Sequence, residues 1–228
     1  ETYFSRHGLA LNINVFDAHP LLVECLNRLG HQCNLITPSP SLPQAIASHP
    51  DLFLCKLGIE PASRVYVGDH GKPKSPYPND AIYNAACTGK YFIHNLSVTD
   101  PGLRKEADLL GMIPVHVKQG YTKCNIVILD KTNLITSDKG IYQSLCDHKD
   151  INSLLIEPGH VALPGFSTGF IGGASGRVGN QVIFHGALSE HPDFQKIITF
   201  IESVGLNPVW FKEFPLTDIG SMIEAPGA

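Results

Sequence analysis

The stretch Thr99-Asp100-Pro101, Leu103 to Leu110, Gly111 and Ile113 to Val117 decides the fold, because it spells out a capped helix followed by a strand. Asp100, ahead of the helix, can accept from first-turn amides that lack partners. Pro101 at the first helical position gives up an N–H that had no partner. Gly111 supplies the left-handed residue that closes the last turn cheaply. The same grammar recurs along the chain. Asp17 to Pro20 precedes Leu21 to Leu29, Gly30 and the apolar run Cys33 to Ile36. Ser189 to Pro192 precedes Phe194 to Val204, Gly205 and Pro208 to Phe211. A weaker copy runs from Ser137 and Asp138 through Ile141 to Cys146, then Ser153 to Ile156. Phe194, Ile197, Ile198, Ile201 and Val204 recur at helical spacing, as do Leu22, Cys25, Leu26 and Leu29, so one face of each helix must pack on a sheet. Self-similarity at a spacing of a few tens of residues marks a repeat or propeller architecture.

Bulk composition narrows the function. The 228 residues are 43% hydrophobic and 17% charged, which suits a globular chain with a real core. Net charge is −4 and no Lys/Arg run occurs, so the basic stripe needed for nucleic acid is missing. No apolar run reaches the roughly 18–20 residues of a membrane span, and no signal peptide is visible. The chain begins at Glu1 and not at methionine, which leaves room for an upstream leader. Six cysteines, at 25, 33, 55, 87, 124 and 146, show neither a C-x-x-C pair nor zinc-site spacing. The set reads as reduced thiols of a cytoplasmic protein. Asn95-Leu96-Ser97 fits a glycosylation acceptor, which a cytoplasmic chain does not use.

The strands between the helices read as hairpins: Ile82 to Asn95, Cys124 to Asp138, and Phe170 to Gly186. A fourth is split between Ile219 to Ile223 and Leu9 to Phe16. A fifth, Asp51 to Gly68, is followed by a lysine- and proline-bearing loop, Asp69 to Asn79, where a helix would otherwise stand. Five hairpins, the last shared between the two ends of the chain, predict one domain over residues 1–228. It is α/β, with a ring closed by pairing of the N- and C-terminal strands. The chain resembles the pentein fold, the five-bladed α/β propeller of guanidino-group-modifying enzymes, and more closely an uncharacterised bacterial family assigned to that fold. The closer resemblance is carried by Val117 to Cys124, Leu134 to Asp138, Gly169 to Gly176, Phe184-His185-Gly186 and Pro215 to Ser221, and covers roughly residues 9 to 223.

In such a ring the first strand of each hairpin lines the axis, so the residues entering those strands converge at one mouth. Asp51, Asp80 and Asp218 stand at three entrances, with Asn84 and Phe170 beside them. Clustered carboxylates suit a cation, since each can take a bidentate guanidinium fork or fix an ammonium; an Asp before a strand is also ordinary turn chemistry. Cys124 is the candidate nucleophile. Lys118, Gln119, Tyr121 and Lys123 flank it, and nearby cations lower a thiol's pKa. His94 and His185, at corresponding hairpin ends, are the candidate bases. The competing readings are a buried structural thiol and two locally bonded turn histidines.

The resemblance implies a nucleophilic cysteine in the last module, yet no cysteine follows Cys146. The matching segment, Asp218 to Ser221, offers only a serine, expected to lack a base beside it. A histidine next to an acidic residue is also expected at a middle entrance, which here reads Gly165 to Phe170 with only His160 upstream. Gly169 to Gly176 is followed by Asn180 to Phe184, a strand pattern and not a helix, so it does not read as a phosphate loop. Its glycines instead suit close backbone approach at the axis. No metal set or cofactor motif is visible.

Two functions follow. One is a small-molecule enzyme, or degenerate enzyme, binding a guanidino- or amino-bearing compound and possessing Cys124 as a hydrolase- or transferase-type nucleophile. The other is a non-catalytic binding protein that uses an outer face of the ring, and fold alone cannot choose between them. The expected partner is a small-molecule ligand, with homo-oligomer formation left open.

Overall fold

The computed structural model describes residues 11–15 and 17–226, which form a mixed α/β arrangement with five small sheets. In the first sheet β1 (Leu11–Val15) is central. It pairs in parallel with β2 (Gln32–Leu35) through the connecting helix α1 (Pro20–Arg28). On its other edge it pairs antiparallel with the last strand, β14 (Ile223–Pro226), with Ile13 opposite Glu224. The second sheet is a two-stranded hairpin, β3 (Leu54–Lys56) with β4 (Val65–Val67). The third joins β5 (Ala86–Cys87) and β6 (Tyr91–His94) to β7 (Ile113–His116) by way of α2 (Pro101–Leu109). A one-turn helix α3 (Thr122–Asn125) precedes the fourth, β8 (Ile126–Ile128) and β9 (Asn133–Thr136). There α4 (Lys139–Cys146) leads on to β10 (Asn152–Leu155). The fifth joins β11 (Ser175–Val178) and β12 (Gln181–Phe184) to β13 (Asn207–Val209) through α5 (Phe194–Ser203).

The local grammar explains most of these boundaries. Asp100 accepts from the amides of Gly102 and Leu103, with Pro101 opening α2. Asp138 caps α4 through Ile141 N. Two starts differ from expectation. The cap of α1 is His19, whose side chain accepts from Leu21 N, and not Asp17. Helix α5 begins at Phe194, after a short 3₁₀ turn over Leu188–Glu190, so Pro192 lies outside the helix and Asp193 occupies the cap. There His191 ring Nδ1 accepts from Asp193 N, a local bond that holds the chain out of helix for two more residues. The apolar faces pack as their spacing requires: Ile197, Ile198 and Ile201 of α5 join Val182 and Phe184 of β12 in one core cluster. Full burial of each such side chain is worth roughly 1.5–3 kcal/mol.

Strands β3, β5, β8, β11 and β14 all contribute to the wall of one central cavity of about 60 Å³. The segments entering these strands are tied by a closed circuit of hydrogen bonds. Asn84 Nδ2 donates to Asp51 O (3.2 Å), and Cys124 N donates to Asn84 Oδ1 (3.1 Å). Gly173 N donates to Cys124 O (2.8 Å), Ser221 N to Gly173 O (2.8 Å), and Asp51 N to Gly220 O (3.2 Å). Close approach demands the glycines: a Cβ on Gly172 would lie 2.4 Å from Lys123 O, and one on Gly173 would lie 2.1 Å from Asp218 Oδ1. Among the described residues no helix is long and apolar enough to cross a membrane.

Candidate functional site

Beside this circuit lies a second cavity, of about 240 Å³. Ile46, Leu52, Leu163, Phe166, Phe170 and Tyr121 make its walls largely apolar, and Cys124, His49 and Asp218 are its principal polar groups. Apolar walls with a few convergent polar groups are the usual make-up of a small-molecule site.

Cys124 stands at the entrance to β8, on the one-turn helix α3, and its Sγ donates to Asp51 Oδ2 at 3.0 Å while accepting from Asn84 Nδ2 at 3.2 Å. Ser221 Oγ lies 2.6 Å from the same Asp51 oxygen and 3.0 Å from Lys123 Nζ. Asp218 is held by backbone amides: Phe170 N donates to Oδ2 and Gly220 N to Oδ1, both at 2.9 Å. His49 Nδ1 stands 3.8 Å from Asp218 Oδ1. The segment carrying Phe170 is stitched to that carrying Asp218 by Ala162 N to Leu216 O and Asp218 N to Ala162 O.

Burial governs the charges. Desolvation pushes Asp51 up to about 6, against the hydrogen bonds from Cys124 and Ser221 that favour its ionised form. Asp218 is pushed up to about 7, by burial first and then by the charge of Asp51. Burial brings His49 down to about 4, so at neutral pH it is an uncharged imidazole. The Lys123 amine is also lowered by desolvation, although Asp51 and Asp218 pull the other way. The Cys124 thiol is raised, by burial first and then by Asp51, which corrects the expectation of a thiol acidified by neighbouring lysines. Desolvation of the buried sulfur is the larger cause, and the Asp51 carboxylate 3.0 Å away adds to it.

The other expected residues divide. Asp51, Asn84, Tyr121, Phe170 and Asp218 gather around Cys124. Asp80 acts one step back, accepting from Tyr121 OH at 2.7 Å and fixing that ring on the cavity wall. Lys118 and Gln119 are not brought to this cavity; they line a separate depression with Tyr77. Neither histidine expected as base reaches it. His94 is buried with Nδ1 on Thr99 Oγ1 and Nε2 against the carbonyls of Ala81 and Gly120. His185 accepts from His19 N and bonds Thr217 O, with Phe214 beside its ring. Both are structural ties, but apart from the bond of His94 to Thr99 they reach residues distant in the chain, so neither is simply a locally bonded turn histidine.

Three groups were missed. His49 immediately precedes the Pro50-Asp51 entrance, and that adjacency was the available signal. Lys123, expected only to acidify the neighbouring Cys124, instead bonds the Ser221 hydroxyl. Ser221, expected to lack a base, has the Lys123 amine against its hydroxyl, a contact between residues 98 positions apart that no local pattern announces. Among the described residues no group of three or more His, Cys, Asp or Glu is arranged to hold a metal ion.

Fold and site together define a mixed α/β protein with a buried thiol–carboxylate cluster on the wall of a small apolar cavity. The chain belongs to the family of unknown function DUF6873, matched over residues 16–223. No curated protein and no solved structure matches it.

Proposed function

We propose that the protein is a pentein-like five-bladed α/β propeller that binds a small guanidino- or amino-bearing compound in the 240 Å³ cavity and attacks it through Cys124. The propeller reading is supported by five strands sharing one cavity wall, by the hydrogen-bonded circuit through residues 51, 84, 124, 173 and 221, and by the pairing of β1 with β14.

The observation that carries the ligand class is Asp218, a buried carboxyl on the cavity whose ionisation is held back by burial and by Asp51. With both carboxylates ionised, the cluster of Asp51, Asp218 and Lys123 has one negative charge in excess. A guanidinium or ammonium against Asp218 removes that excess, and the apolar walls take its alkyl part. In the chemical step Cys124 Sγ adds to the electrophilic carbon while its proton passes to Asp51 Oδ2. Asp51 gives that proton to the departing amine, and water then adds its hydroxyl to the carbon and its proton to the released sulfur, restoring the thiol.

A second reading, binding without turnover, is favoured by the raised Cys124 thiol, which holds little thiolate at neutral pH. One screen separates the two. Wild type and Cys124→Ala are tested against guanidines, ureido compounds and amines for thermal shift and for ammonia or amine release. The catalytic reading predicts release by wild type alone, with the thermal shift kept in both. A shift in both proteins without release selects the binding reading, and no shift in either contradicts the proposed site.

A further inference from the structure

Ser221 is a non-glycine residue at φ 70°, fully buried. Such a conformation is uncommon outside glycine, and strain of this kind collects at functional positions. The backbone offers no reason for a serine, since the bond from Ser221 N to Gly173 O would be made by any residue but proline. Its hydroxyl does the distinctive thing. Ser221 Oγ stands between Asp51 Oδ2 (2.6 Å) and Lys123 Nζ (3.0 Å), and Asp51 Oδ2 in turn receives the Cys124 thiol (3.0 Å). Cys124 faces the 240 Å³ cavity, whereas Lys123 lines the central 60 Å³ cavity. The central cavity has largely apolar walls but carries the polar groups Lys56, Ser175 and Glu224, with Glu224 Oε1 lacking a hydrogen-bond partner. A few waters fit there at about 10–15 Å³ of probe-occupied volume each.

We propose that Ser221 is the middle link of a proton relay joining the Cys124 sulfur, through Asp51, to Lys123 and the central cavity. The inference rests on Cys124 being the nucleophile. As sulfur forms its bond to carbon, the S–H bond breaks and the proton goes to Asp51 Oδ2. Asp51 passes a proton to Ser221 Oγ while the hydroxyl's own proton passes to Lys123 Nζ, which releases one of its ammonium protons to water in the central cavity. Each O–H or N–H bond made is matched by one broken, and the sequence reverses when sulfur is released. Desolvation, which lowers the amine's basicity, eases that release. The nucleophile can therefore exchange its proton while a ligand fills the other cavity. The titratable and charged groups facing the relay are Asp218, His49 and Tyr121 from the ligand side, and Lys56, Arg177, Glu224, Cys55 and Cys87 around the central cavity.

The test is single-turnover acetylation by p-nitrophenyl acetate, read as the nitrophenolate burst over pH 6–9 in light and heavy water, with the acetyl group located by peptide mass mapping. Ser221→Gly suits its backbone conformation, so relief at the positive φ offsets part of the lost hydrogen bonds and the variant should still melt cooperatively. Its burst should nevertheless slow about tenfold or more, with a smaller solvent isotope effect. Lys123→Arg keeps the positive charge but cannot surrender a proton, so it should slow the burst as well. Wild-type burst rates and isotope effects in either variant would overturn the relay, as would a Ser221→Gly protein that no longer melts cooperatively. A wild-type protein acetylated elsewhere, with Cys124 unmodified, would instead overturn Cys124 as nucleophile and the relay with it.

Discussion

Asp218 is the residue whose chemistry is most exposed to test. Its folded value of about 7 lies above its ordinary 3.8, so the native protein binds that proton more tightly than the unfolded chain does. Stability from this group is therefore fully present below its ordinary value and is lost as pH rises through about 7. Buried His49 and His94, both lowered to about 4, act in the opposite direction, so the wild-type curve alone does not isolate Asp218. Asp218→Asn does: its stability relative to wild type should grow from pH 4 to pH 7 and then level off, measured by urea unfolding at each pH. A flat difference would contradict the assignment. The same linkage makes a cation bind more tightly above pH 7 than below it. Gly173→Ala is the steric counterpart, because its Cβ would fall 2.1 Å from Asp218 Oδ1. It should cost about 1–3 kcal/mol by overpacking and abolish the ligand-induced thermal shift. The missed residues were illegible at this scale for one reason: the Lys123–Ser221 and Cys124–Asp51 contacts span 98 and 73 positions, and sequence patterns report neighbours.

At the scale of elements, helix α2 shows how far local grammar reaches. Asp100 accepts from Gly102 N, Leu103 N, Tyr66 OH and Lys72 Nζ, so it closes the helix start and ties it to the loop that replaces a helix after β4. Lys72 is half exposed and adds little. Asp100→Ala should therefore cost about 2 kcal/mol, visible as a lower urea midpoint at unchanged slope. Four hairpins were legible, because apolar runs broken by turn residues fix strand pairs; in the split one the partner of β1 is Ile223–Pro226, and not the expected Ile219 to Ile223. Two helix starts were not legible. His19 and His191 make local side-chain bonds that a Ser/Asp–Pro rule does not anticipate. The turn of helix that holds Cys124 was also illegible, since four residues are too few to show a period.

For the whole molecule, the decisive feature is that β14, the last strand, pairs with β1 while Glu224 on it lines the central cavity. Ending the chain after Ser221 removes that strand and leaves one edge of β1 unpaired. The truncated protein should lose cooperative melting altogether, where an independent terminal strand would lower the melting temperature by only a few degrees. The repeat grammar in the sequence already called for such a junction of the two ends. What it could not give was the identity of the groups that meet there, because packing around a shared cavity, and not periodicity, selects them. The account's central claim is that these groups form one cation-accepting site. Isothermal titration of wild type and Asp218→Asn with a short alkylguanidine at pH 8 tests it most directly. Saturable binding by wild type, weakened at least tenfold in the variant and released by acidification below pH 7, is the predicted result. Equal binding by both proteins, or heat from neither, would contradict it.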